Sequence, residues 1–114
     1  GISRPSVMSR LRPQKDDTNV VVDKKPSTRL KPPQMYKVLL HNDDYTSMEF
    51  VVAVLQTVVH HNERAATRIM LHIHQNGVGV AGVFTAEIAE TKVHRVTELA
   101  REAEVPLLCT TEPD

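Results

Sequence analysis

Cysteine, tryptophan and long apolar runs are what this sequence largely does without. Its one cysteine, Cys109, leaves no partner for an internal disulfide and suits a reducing compartment. No apolar run approaches the ~18 residues needed to cross a bilayer. The opening Gly1-Ile2-Ser3-Arg4 has no apolar core of a secretory leader, so a soluble, cytoplasmic setting is expected. An excess of one charge is also missing: 14 Lys and Arg face 14 Asp and Glu, and no global field points to nucleic acid or a membrane. Aromatics are 4% of the chain and apolar residues 40%, enough for one modest core in 114 residues.

What is present divides near Met35. Residues 1–34 are rich in Pro, Ser, Lys, Arg and Asp, and Val20-Val21-Val22 is too short to offset the entropy of ordering them. They are expected to be a flexible N-terminal extension, with 35–114 as the core domain. From Met35 on, Tyr36, Val38 and Leu40 alternate with Lys37, Leu39 and His41, the pattern of a strand. After a polar break, Thr46-Ser-Met-Glu49 has the form of a capping box. Val51, Val54, Leu55 and Val58 then form one helical face ending near His60. Asn62 can cap a second helix, Glu63 to about Gln75, with Gly77 as its stop.

A Gly-interrupted strand over Val78–Phe84 follows. Thr85 can cap a third helix that runs to about Ala103, with Ala89, Val93, Val96, Ala100 and Ala103 as its apolar face. Leu107 to Thr111 make the last strand. The order β-α-α-β-α-β predicts an α+β sandwich, a three-stranded antiparallel sheet packed against three helices.

Most chemical signals weaken on inspection. Gly77-Val-Gly79-Val-Ala-Gly82 spells a dinucleotide fingerprint, but it follows a helix and itself reads as the strand, the reverse of what pyrophosphate binding needs. His72 and His74 diverge by about 200° on a helix and cannot share one ion. Asp43-Asp44 lacks the spacing of a calcium loop, and neighbouring carboxylates in a turn diverge rather than share a proton. No serine or cysteine lies in a nucleophile context, and Cys109 reads as a small buried hydrophobe. No metal, cofactor or catalytic activity is therefore expected. One constellation survives. Met70, Ile73 and His74 share a helical face, and Met48 and Val51 share another. If both border the Asn42–Thr46 turn, they form an apolar hollow rimmed by an amide, two carboxylates and an imidazole. Packing these four apolar side chains simply as core is an equally good reading of the periodicity alone.

The stretches YKVLLHNDDYTSMEFVVAVLQ, RIMLHIHQNGVGVAGVFTAEIAETKV and PLLCTTE resemble the ClpS family, bacterial adaptors of the N-degron pathway. The likeness runs from Tyr36 to about Glu112 and implies a core related to the C-terminal domain of the ribosomal stalk protein. It also implies a monomeric, non-enzymatic adaptor. Such a protein binds substrates beginning with Leu, Phe, Tyr or Trp and delivers them to the ClpA unfoldase of the ClpAP protease. The resemblance assigns the substrate's α-amino group to Asn42, Asp44 and His74. It assigns the first side chain to a pocket of Asp43, Thr46, Met48, Val51, Met70, Ile73 and Leu107, with Met48 gating against β-branched Ile and Val. Glu87 and Lys92 correspond to the surface that meets the N-terminal domain of ClpA, and residues 1–34 to the extension that engages the unfoldase. Ser47 stands where many members have Pro, and Ile73 where Val is frequent. An unchanged residue class with an altered ranking is expected from that. Two other readings stay open from the residues: a stalk-like interaction domain without N-terminal recognition, and a small metal-dependent enzyme using His74 with Asp43 or Asp44.

Overall fold

The computed structural model describes residues 31–114. The expected extension therefore lies almost wholly outside the described residues, and Lys31–Gln34 are exposed and irregular. The elements run β1 (Met35–His41), α1 (Met48–Thr57), α2 (Glu63–Asn76), β2 (Val78–Thr85), α3 (Ala86–Ala103) and β3 (Leu108–Pro113). They form the predicted β-α-α-β-α-β arrangement. The sheet has the order β2-β1-β3, with both pairings antiparallel.

Alternation in β1 does what a half-buried strand requires. Val38 and Leu40 are completely buried in the centre of the sheet, and burying such a side chain contributes ~1.5–3 kcal/mol. On the flanking strands, Gly79 and Ala81 of β2 and Cys109 of β3 are buried. Val51, Val54 and Leu55 of α1, with Val58 just past its end, close the core from the helical side. Ala66, Met70 and Ile73 of α2 join them, as do Ala89, Val96 and Ala100 of α3. The small inward residues of β2 let α2 lie close to the sheet. That closeness matters for the site.

Helix α2 starts and stops as its sequence indicates. Asn62 accepts from the Ala65 N–H at 2.8 Å, and Gly77 turns the chain at φ 87°, a left-handed value that glycine adopts without strain. Four local expectations are corrected. The N-cap of α1 is Ser47, not Thr46: its hydroxyl oxygen accepts from the Phe50 N–H at 3.1 Å. The Thr46 hydroxyl is drawn away to Asp43, so the capping box does not form. Helix α1 ends at Thr57, and His60, at φ 64°, lies outside it. Thr85 occupies the N-cap position of α3 without a side-chain capping bond. Ala103 is exposed, because the helix stops at a left-handed Glu104 and half-buried Val105 packs against the core instead.

Candidate functional site

Between the end of β1 and the first turn of α1 the chain makes a tight, self-bonded loop. One Asp43 carboxylate oxygen accepts from the N–H groups of Tyr45 and Thr46, each at 2.8 Å, and the other accepts from the Thr46 hydroxyl at 2.7 Å. This is the local bonding that makes Asp a turn residue. Partial burial pushes the Asp43 carboxyl upward, but the three donated bonds outweigh it and hold it below the usual carboxylate range. Asp43 is thus occupied with holding the turn. The turn is also tied to α2, since the Asn42 N–H donates to the Gly77 carbonyl at 2.8 Å, and the Gly77 N–H donates to Ile73 at 2.8 Å. The end of β1 and the end of α2 are thereby fixed against one another.

That junction encloses a hollow of about 220 Å³ lined by Asn42, Asp43, Asp44, Thr46, Met48, Val51, Met70, Ile73 and His74. Nine of the ten residues expected at the amine grip and the apolar slot therefore line one cavity. The tenth does not. Leu107 is buried in the core ahead of β3 and is not part of the wall. Val51, Met70 and Ile73 form a buried apolar floor, whereas Met48 stays 42% exposed at the mouth. These side chains therefore pack in the core and at the same time leave a hollow open above them.

Its rim is chemically open. Among the described residues, no hydrogen bond or ion pair engages the side chains of Asn42, Asp44 or His74. All three are exposed. An amide oxygen, a carboxylate and an imidazole nitrogen can each accept from a donor above an apolar floor. Among the described residues no group of three His, Cys, Asp or Glu is placed to hold a metal ion. Cys109 is buried in the sheet, and burial pushes its thiol up to about 12. No helix among the described residues is long and apolar enough to cross a membrane.

On α3, Glu87 is exposed in the first turn. Lys92 is more committed than its sequence suggested. Its ammonium donates to the Val58 carbonyl at 2.7 Å and lies 5.6 Å from the centre of the Phe84 ring, tying α3 to the end of α1. The exposed side of the sheet also carries a bond that periodicity did not signal, His41 Nε2 with the Thr110 hydroxyl at 2.8 Å.

The model of the family described as "ATP-dependent Clp protease adaptor protein ClpS" matches residues 31–110. The chain belongs to the ClpS family. Among similar proteins, the ATP-dependent Clp protease adapter protein ClpS of Myxococcus xanthus is 54% identical over 98 residues, 86% of this chain and 92% of that one. The ClpS of Rhodospirillum centenum is 60% identical over 97 residues, 85% of this chain and 88% of its own. A solved structure of Agrobacterium tumefaciens ClpS2 bound to L-phenylalaninamide superposes with a TM-score of 0.70 at 46% identity, covering 73% of this chain and all of that one. Membership makes the chain an adaptor of the Clp protease rather than an enzyme.

Proposed function

We propose that this ClpS protein recognises N-degrons: it binds the free N-terminus of substrates that begin with Leu, Phe, Tyr or Trp and passes them to the ClpA unfoldase of ClpAP. One observation carries the reading, the joining of an apolar hollow to a rim of three acceptors with no protein partner among the described residues. An ammonium has three donors, and Asn42, Asp44 and a neutral His74 offer three places for them. The first side chain enters the slot over Val51, Met70 and Ile73. The Agrobacterium relative was solved with L-phenylalaninamide, which presents the same pair of groups, a free amine and an apolar side chain.

Magnitudes agree with this division. Burying a Leu or Phe contributes ~1.5–3 kcal/mol and each charge-assisted hydrogen bond ~1.5–3 kcal/mol. Less the cost of association, a few such terms leave binding near about −8 kcal/mol, or micromolar. Neither half suffices alone, so an internal Leu is refused. The exposed Glu87, with the anchored Lys92 further along the helix, supplies the α3 surface for the N-terminal domain of ClpA, with residues 1–34 as the segment that engages the unfoldase in the cytoplasm.

Fluorescence anisotropy with peptides differing only in the first residue tests the reading. Leu, Phe, Tyr and Trp should bind, and Ser, Glu and Gly should not. Equal binding across the panel would contradict it.

A further inference from the structure

Ile73 forms part of the floor of the hollow, and the depth of that floor depends on what lies behind it. Behind it is Gly79. A Cβ placed on Gly79 would stand 2.6 Å from Ile73 Cγ1, 3.6 Å from Ile73 Cδ1 and 3.2 Å from His72 Cδ2. Carbon atoms settle at about 3.5–4.0 Å, so the first distance is not tolerable and one partner must move. Cγ1 is not a flexible tip. It is bonded directly to the branched Cβ of a helical residue, and χ1, for which one rotamer dominates there, fixes its position.

The backbone of each partner is tied to a neighbouring segment by pairing or hydrogen bonds. Gly79 lies near the start of the outer strand β2, paired with Leu40 of the central strand β1, and both residues are buried. Two residues away, the Gly77 N–H holds the Ile73 carbonyl at 2.8 Å. Ile73 is itself 2% exposed and packed in the core, so the open space at its surface is the hollow. Gly79 has no left-handed φ, unlike Gly77. Its glycine is therefore required by space and not by backbone conformation.

We propose that Gly79 is a specificity-determining residue: by lacking a Cβ it lets Ile73 lie back against β2 and sets the depth of the slot. It touches no part of the substrate and acts only through Ile73. Any side chain at position 79 drives Ile73 forward, shortening the slot for long aromatic first residues while leaving room for Leu. The inference rests on the N-terminal recognition proposed above, and it explains how an Ile can occupy this floor without closing it.

Peptide titrations with Gly79→Ala test it. Affinity for peptides beginning with Trp or Phe should fall on the order of tenfold or more, the effect of overpacking a filled site, and that for Leu at most about threefold. In an Ile73→Ala background, which removes the struck atom, the same Gly79→Ala change should alter any of these affinities less than about twofold. Gly82→Ala is the steric control, because its Cβ would meet Phe84 at 2.7 Å and Val59 at 3.2 Å, neither of which lines the hollow. It should leave the ranking unchanged. Should Ile73→Ala fold poorly, methyl NMR of Gly79→Ala decides: the Ile73 Cδ1 resonance should move and its nuclear Overhauser contacts to Val51 of the neighbouring helix α1 should strengthen. An unaltered ranking with Gly79→Ala, an equal cost in both backgrounds, or an unmoved Ile73 methyl overturns the proposal. If unaltered protein binds acetylated and free peptides alike, the underlying recognition fails. If it prefers the free amine but Gly79→Ala keeps the ranking, only the role of Gly79 fails.

Discussion

Met48 is the first residue of α1, lines the hollow and keeps 42% of its surface exposed. If Met48 is the gate, an incoming Ile or Val, branched at Cβ, would bring its bulk against it, whereas Leu and Phe branch one atom deeper. Met48→Ala should therefore bring peptides beginning with Ile or Val to within about tenfold of the Leu peptide, a difference of ~1.4 kcal/mol. Competition titrations check this, and continued strict rejection would place the gate elsewhere. Asp43 works differently, through the turn. Its folded carboxyl sits below the ordinary 3.8, so it stabilises the fold fully above its unfolded value and loses that stabilisation as pH falls through the lower folded value. Asp43→Ala should lower the urea midpoint at neutral pH, and the gap to the unaltered protein should narrow from about pH 4 downward. A gap constant across acid pH would assign the turn's stability to packing instead. Both residues lie in a stretch whose composition marks it as special. Their separate places, Met48 exposed at the mouth and Asp43 locking the turn, depend on hydrogen bonds and exposure that composition does not carry.

Among the elements, α2 was the most readable from its residues, because Asn62 and Gly77 each have one role available and fill it. Helix α1 was less so. Thr46 and Ser47 both offer a capping hydroxyl, and the motif favoured Thr46; the decision was made by Asp43, which takes the Thr46 hydroxyl and leaves the cap to Ser47. Asn62→Ala and Ser47→Ala should each cost ~1 kcal/mol of stability, read by thermal or urea denaturation. Their effects on the site should differ. Ser47 fixes the turn that presents Met48 and Val51, so Ser47→Ala should also weaken peptide binding about two- to fivefold, a few tenths of a kcal/mol or more. Asn62 lies at the far end of α2 from His74, and Asn62→Ala should leave binding unchanged. Equal effects on binding would mean that the cap of α1 does not preorganise the slot. In α3 the helix ends at Ala103 as its pattern predicts, but Ala103 itself is exposed and Val105, beyond the left-handed Glu104, packs against the core in its place.

At the scale of the whole molecule, the strand and helix periods gave the architecture, and the antiparallel sheet β2-β1-β3 carries it out. The site was legible only in pieces. Asn42 to Val51 and Met70 to His74 are separated by a helix and a turn. What unites them is the pair of backbone bonds through Gly77, which no side-chain pattern signals. Gly79, the middle glycine of the apparent dinucleotide fingerprint, stands instead where a Cβ would strike Ile73. Leu107, assigned to the slot by likeness, is buried like Val51, Met70 and Ile73 but does not join them in lining the hollow. The proposed recognition divides in two: Asn42, Asp44 and His74 hold a free amino group while the hollow holds the side chain next to it. Calorimetric titration of one Leu-initiated peptide, with and without N-terminal acetylation, tests that division directly. Loss of two charge-assisted hydrogen bonds predicts at least about hundredfold weaker binding of the acetylated form. Equal affinity of the two peptides would contradict it.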